Sequence, residues 1–166
     1  MEFNVNNQIR KRIFTIACRK GHSILTDSKQ NENGNGTLKQ FEAENSQMAC
    51  LIALNDVLTR MPQGVKFDYA VAILLPQTIS FLAYEDTRNF WLANGCKKTG
   101  EVIEENVLAE VRKMHKLLKA HGSNVQLFNQ TRLTSPLYKS YSRATWEVME
   151  QLYPSENGVV SCTDFE

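Results

Sequence analysis

RIFTIACRKGHSILTDSKQNENGNGTLKQFEA, residues 12–43, is the stretch on which the fold turns. Arg12-Ile13-Phe14-Thr15-Ile16-Ala17-Cys18 is apolar and β-branched, the composition of a strand. Lys20-Gly21 is a tight-turn pair leading into a second strand, His22-Ser23-Ile24-Leu25-Thr26. Asn33-Gly34-Asn35-Gly36 is the strongest turn signal in the chain, because both residue types tolerate positive φ. A third strand follows from Thr37 to Ala43, so two consecutive hairpins open the domain.

Beyond the hairpins the period changes. Asn45 or Ser46 is placed to cap a helix whose apolar positions Met48, Leu51, Ile52 and Leu58 share a face, and Pro62-Gln63-Gly64 ends it. Its low charge suits burial on much of its surface. Tyr69 to Leu75 is almost continuously apolar, as in a strand covered on both faces, and Pro76 stops it. A helical pattern resumes from Ile79 to Trp91 and closes near Asn94-Gly95. Glu101 to His121 is the clearest helix: Ile103, Val107, Val111, Met114 and Leu118 repeat at spacings of three and four. Its acids lie early and Lys116, Lys119 and His121 late, complementing the helix dipole, with Gly122 as the stop. A strand from Asn124 to Asn129 precedes Ser135-Pro136, an N-cap and first-turn pair, and a last helix with Tyr141, Thr145, Val148 and Leu152 on one stripe. The order β-β-β-α-β-α-α-β-α indicates a mixed sheet with helices packed on it.

Composition narrows the function classes. A chain of 166 residues suits one domain, 1–166, with its core over about 10–152 and a polar tail over 154–166. Net charge +1 lacks the basic excess of a strong nucleic-acid binder. No run is long enough to span a membrane, and Met1-Glu2-Phe3-Asn4-Val5-Asn6-Asn7 has no secretory pattern, so the expected location is the cytoplasm, of the host if the protein is viral. Cys18, Cys50, Cys96 and Cys162 form no C-x-x-C pair; they are expected as free thiols, buried except for Cys162 near the chain end, with no metal site.

The element order resembles ribonuclease HI, and three phrases carry the likeness. Ile13-Phe14-Thr15 resembles the start of the family's first strand, Met48-Ala49-Cys50-Leu51-Ile52-Ala53-Leu54 its first helix with an Ala-Leu pair, and Phe90-Trp91-Leu92-Ala93-Asn94-Gly95-Cys96-Lys97-Lys98 its aromatic and basic segment. The resemblance implies an α/β, RNase H-like fold: a five-stranded mixed sheet with helices packed on both faces. It also implies a chemistry in which several carboxylates hold two divalent ions. Carried over one by one, those positions fall on Ile16, Ser46, Pro76 and, at the opening of the last helix, near Ala144. None is acidic. Residues 3–26, 69–84 and 111–146 contain no Asp or Glu, so a shift of register restores nothing in the first strand, the fourth strand or the last helix. Only Glu44 stands near an expected place, two residues from Ser46, a step of roughly 200° around a helix. The sequence therefore assigns no catalytic residue, no metal and no cofactor, and leans against an enzyme.

Other groups offer weaker signals. Arg10, Lys11, Arg12, Arg19 and Lys20, with Arg112, Lys113, Lys116, Lys119, Arg132, Lys139 and Arg143, would hold a nucleic-acid backbone if they met on one face; the favoured account is solvated helix and loop charges balanced by nearby acids. Lys97 and Lys98 match a family region that contacts nucleic acid, so the candidate nucleic-acid contacts are Lys97, Lys98, Arg132 and Arg143. Phe90 and Trp91 are read as core cover rather than a base-stacking platform. His22, His115 and His121 have no catalytic partner in sequence. The 129–135 segment takes the place of the family's active-site loop without a histidine and is a candidate recognition loop, and Phe165 marks a chain end.

The resemblance allows degenerate domains of this fold to serve as structural parts of larger assemblies. The leading expectation is thus an inactive RNase H-like domain acting as a protein-binding or scaffolding module. A non-catalytic module for RNA–DNA hybrid or duplex is the alternative. A divergent metal-dependent nuclease using Asp27, Glu42 and Glu44 comes last.

Overall fold

In the computed structural model, which describes residues 12–30, 36–61 and 70–155, the opening apolar run forms β1 (Arg12–Arg19). It is the middle strand of a five-stranded sheet ordered β3-β2-β1-β4-β5, and every residue from Ile13 to Arg19 is buried. β2 (His22–Gln30) returns antiparallel with Arg19 opposite His22, leaving Lys20 and Gly21 as a two-residue turn. Both have positive φ, 49° and 86°, the conformation that matches the twist of paired strands. Gly21 is needed for space as well, since a Cβ there would lie 2.8 Å from the Ala43 carbonyl oxygen.

β3 (Gly36–Glu42) pairs antiparallel with β2; the turn expected at Asn33, Gly34 and Asn35 lies outside the described residues. β4 (Val71–Leu75) and β5 (Val125–Asn129) extend the other edge, parallel to β1. Every residue of β4 is buried, as its continuous apolar run predicts, while Tyr69 is outside the described residues.

α1 (Ser46–Arg60) and α5 (Pro136–Leu152) cover opposite faces of this sheet. Side chains alternate along a strand, and β2 shows the consequence. Ser23 donates its hydroxyl to the Ala49 carbonyl of α1 at 2.8 Å, whereas Thr26, three residues on, meets Thr145 of α5 at 2.8 Å. On the α5 face Ile13, Ala72 and Leu74 pack with Tyr138. Asn45, not Ser46, caps α1, accepting the Met48 N–H at 2.8 Å; Ser46 is buried and accepts the Gly21 N–H. At the far end, buried Arg19 donates to Glu150 at 2.7 Å and to the Tyr153 carbonyl at 2.8 Å, tying the end of α5 to β1. That bond holds the Glu150 carboxyl below its usual range.

Three helices depart from expectation. The pattern from Ile79 to Trp91 splits into a short α2 (Gln77–Ser80), a 3-10 turn (Phe81–Ala83) and α3 (Glu85–Asn94), with Tyr84 extended between them. The cause is Arg88, which is buried and donates to the Leu82 and Ala83 carbonyls at 2.9 and 3.0 Å, groups a continuous helix would occupy. α4 (Glu105–His121) begins later than Glu101 because the preceding residues form a small hairpin. Cys96 bridges Val102, and the Ile103 N–H bonds the Gly95 carbonyl, so Ile103 is buried from a loop. In α5 the buried face is Tyr138, Ser142, Thr145, Trp146 and Met149; Leu152 is exposed and only Thr145 of the predicted stripe is fully buried. Ala144 lies exposed in mid-helix rather than at its opening, which is Ser135-Pro136. The acid-free 111–146 stretch spans both places.

The α5 face rotates because Gln130 sits beneath it. This residue is 7% exposed and opens a 3-10 turn (Gln130–Arg132) after β5. Its amide nitrogen donates to the Ile16 carbonyl at 2.7 Å and the Leu74 carbonyl at 2.8 Å. Its amide oxygen accepts from Ser142 Oγ at 2.7 Å and Trp146 Nε1 at 2.8 Å. β1 and β4 pair in register only as far as Thr15 with Leu74, so the side chain takes over where the ladder stops. The histidines also serve the fold. His22 stacks on Tyr153 with ring centroids 4.0 Å apart, His121 Nε2 lies 2.7 Å from the Leu58 carbonyl, and His115 Nδ1 accepts from Arg88 at 3.0 Å.

Two predictions follow from these bonds. Gln130→Leu strands two carbonyls and two donors, each costing about 1–3 kcal/mol, so urea unfolding is expected to show a loss of about 3 kcal/mol or more. A loss under about 1 kcal/mol would show that the network is not structural. Desolvation first, then the Arg88 and Lys119 cations, lower the His115 pKa, with Glu85 opposing them. A lowered histidine contributes stability that is complete above its usual value of about 6.5 and is lost as pH falls through the lowered value. His115→Gln, which still accepts from Arg88 but does not titrate, is expected to lose less stability than wild type between about pH 7 and 5. Equal losses in urea titrations at the two pH values would contradict this.

Candidate functional site

A broad cleft of about 780 Å³ opens beyond the carboxyl ends of β4 and β5, where open α/β sheets bind ligands. Four elements build it. Asn45 and Gln47 come from the start of α1, Gln77, Thr78 and Ser80 from α2, Phe81 and Tyr84 from the turn into α3, and Asn129, Thr131 and Arg132 from the end of β5 and the turn after it. Two positions that the resemblance gives to carboxylates are flanked by this lining: Ser46 lies between Asn45 and Gln47, and Pro76 precedes Gln77. A third, Ile16, is joined through its carbonyl to Gln130, the residue that anchors the Thr131–Arg132 wall.

The polar groups of the cleft lean toward donors. Asn45 uses its amide oxygen on the Met48 N–H, leaving its N–H₂ group for a ligand. Asn129 uses its oxygen twice on Thr131, accepting from the backbone N–H at 3.0 Å and the hydroxyl at 2.8 Å. Its N–H₂ group is likewise left over. Arg132 is exposed, and no acid among the described residues pairs with it. The lining contains no carboxylate. Capping thus occupies the amide oxygens of Asn45 and Asn129, while their N–H groups join the Arg132 guanidinium in the lining.

Such a donor set does not fit two divalent metal ions, which take anionic oxygen ligands and are repelled by a guanidinium. No group of three or more His, Cys, Asp or Glu that could hold a metal occurs among the described residues. Glu44 turns to α4, its carboxylate accepting from Asn106 Nδ2 at 2.6 Å. Asp27 accepts from Arg12 Nε at 3.0 Å, and Glu42 lies 4.0 Å from His22 Nε2. The three acids considered for a divergent enzyme therefore lie beside three different partners.

The four candidate basic residues do not share one element. Arg132 lines the cleft. Lys97 and Lys98 lie in the α3–α4 connection, Lys97 paired with Glu101 at 3.4 Å and 6.0 Å from the Trp91 ring centre, Lys98 exposed and 5.8 Å from that of Phe90. Arg143 is exposed on α5. Several other cations have partners: Arg12 with Asp27, Arg19 with Glu150, Arg112 with Glu105 and Lys119 with Glu85. Arg10 and Lys11 are outside the described residues, as are Cys162 and Phe165. Trp91 is buried and Phe90 packs against the core, as core cover requires. Cys18 and Cys50 are buried and Cys96 is half-buried.

Sequence reading singled out the 129–135 segment but missed what is inside it. Gln130 and Asn129 are adjacent polar residues with opposite fates, one a buried anchor and one a rim donor, and no local signal separates them. Tyr84 was also missed, because the helical pattern ran through it.

No protein-family model matches the chain, and no curated protein matches it. Solved structures do. The foamy viral protease-reverse transcriptase in complex with RNA/DNA hybrid superposes with a TM-score of 0.57 at 8% identity, over 93% of this chain and 21% of that one. The native prototype foamy virus protease-reverse transcriptase gives 0.54 at 11% identity, over 97% and 22%. The PFV RNase H domain gives 0.50 at 11% identity, over 83% and 89%. The chain spans about a fifth of the length of the two protease-reverse transcriptases. Among its described residues no helix is long and apolar enough to cross a membrane. Together with the strand order β3-β2-β1-β4-β5 and its mixture of parallel and antiparallel pairs, these superpositions give the chain an RNase H-like α/β fold.

Proposed function

We propose that this chain is a non-catalytic RNase H-like module whose cleft holds nucleic-acid backbone. The observation that carries the reading is the donor-biased, carboxylate-free lining with Arg132 on its wall. A phosphodiester offers only acceptors and a negative charge, so it complements leftover amide N–H groups and a guanidinium. The same lining gives no set of anions to hold the ions on which two-metal hydrolysis depends. A foamy viral protease-reverse transcriptase of similar fold is in complex with RNA/DNA hybrid, which supports nucleic acid as the ligand class.

The protein-scaffold role favoured by the sequence shares the non-catalytic half of this reading and differs in the partner. A protein partner would bury exposed apolar surface. Among the described residues, the large exposed side chains Leu38, Tyr84, Val102, Leu137 and Leu152 come from separate parts of the fold. Leu137 and Leu152 sit near opposite ends of α5, about 22 Å apart along its axis. Only Tyr84 lies on the cleft. Among the four basic candidates, Arg132 is the central contact, Lys98 and Arg143 are peripheral, and Lys97 contributes least because it is already paired with Glu101.

Fluorescence anisotropy at low salt tests this. Wild type is expected to bind labelled nucleic acid, and Arg132→Ala to weaken binding several-fold and flatten the slope of log affinity against log salt by about one contact. Lys97→Ala is expected to change affinity less than Arg132→Ala does. No binding of hybrid, duplex or single strand would remove the nucleic-acid reading and leave the scaffold. Incubation of an RNA–DNA hybrid with magnesium or manganese is expected to give no cleavage; cleavage abolished by Glu44→Ala would overturn the non-catalytic reading.

A further inference from the structure

We infer that the cleft takes an unpaired nucleotide, its base stacked on Tyr84 and its phosphate on Arg132. This rests on the proposed nucleic-acid role and adds which form of nucleic acid the cleft selects. Tyr84 is 63% exposed, unusual for an aromatic ring on a structured segment, and it lines the same cleft as Arg132. Its backbone is held on both sides: its N–H bonds the Phe81 carbonyl at 3.4 Å, and its own carbonyl accepts from Arg88 N–H at 3.2 Å. The turn before it is fixed from beneath by the Arg88 guanidinium on the Leu82 and Ala83 carbonyls, and by Phe81 packed 5.5 Å from the Trp91 ring. The ring is therefore presented from an anchored turn.

A base stacks on such a ring only if it is free of its neighbours. In a duplex the base faces are covered by adjacent pairs and the Watson–Crick edges are occupied. The cleft also carries two glutamine amides, Gln47 and Gln77, each offering a donor and an acceptor suited to a base edge rather than to phosphate. Its volume of about 780 Å³ lies in the range of roughly 300–1,000 Å³ typical of small-molecule sites, a scale fitting a nucleotide rather than a helical segment. Stacking ring, base-edge amides, N–H donors and a guanidinium all line this one cleft, the set of groups that base and phosphate of one unpaired unit require.

The test compares a labelled single-stranded RNA octamer, the same strand annealed to complementary DNA, and the same strand with abasic positions. Wild type is expected to bind the single strand about ten-fold more tightly than the hybrid. Tyr84→Ala is expected to weaken the single strand about ten-fold, within the range of one lost base–aromatic stack, with Tyr84→Phe close to wild type. The salt slope should not change in Tyr84→Ala, since no phosphate contact is removed, and the abasic strand should not sense the substitution. Because Tyr84 is exposed, the variant is expected to melt with wild type. If hybrid and single strand bind equally and Tyr84→Ala is silent while Arg132→Ala still weakens both, the stacking inference fails and the backbone reading survives. If wild type binds none of the three probes, both fail.

Discussion

The parting of two parallel strands is the constraint on which this structure depends. β1 and β4 pair as far as Thr15 and Leu74, and then the carbonyls of Ile16 and Leu74 lose their ladder partners inside the core. Buried carbonyls left unbonded are costly. Gln130 answers both carbonyls with one amide nitrogen and hands its oxygen to Ser142 and Trp146. All four of its bonding directions are filled, so the side chain fixes β1, β4, β5 and α5 in a single geometry.

That anchor connects the core to the surface. Gln130 is the first residue of the turn that carries Thr131 and Arg132 to the cleft, and Asn129, just before it, ends β5 and caps the same turn. On the opposite wall Arg88 plays a comparable part, holding the Phe81–Ala83 turn so that Tyr84 stands out from it. Both walls are thus braced by a buried polar side chain bonded to backbone carbonyls. Rigid braces of this kind favour a preformed site over one assembled on binding.

The polarity of the cleft differs from what the ribonuclease H resemblance implies. Where that family places anions to gather cations, this cleft presents N–H groups and a guanidinium. At two positions to which the resemblance would assign carboxylates, Ser46 accepts the Gly21 N–H and the Ile16 carbonyl accepts from Gln130. Both groups are committed to hydrogen bonds that serve the fold. Glu44, the acid nearest an expected position, is drawn to Asn106 at the start of α4 instead.

Much of the fold was legible because strands and caps are local. The 12–19 run, the Lys20-Gly21 turn, the buried 71–75 strand and the Ser135 cap depend on side-chain type and backbone preference within a few residues. The absence of acids from 3–26, 69–84 and 111–146 is likewise a property of the sequence alone. Tertiary structure decided the rest, because the deciding partners are far apart in the chain. Arg88 breaks a helix by reaching carbonyls that a periodic pattern assigns to the helix itself, and Gln130, 114 residues from Ile16, turns α5 so that Trp146 rather than Leu152 faces inward. Which amides of the cleft keep free donors was settled only when Asn45 and Asn129 committed their oxygens to the backbone. The sequence by itself determined the strands and the acid-free stretches, which are local properties; only long-range hydrogen bonding determined which groups line the cleft.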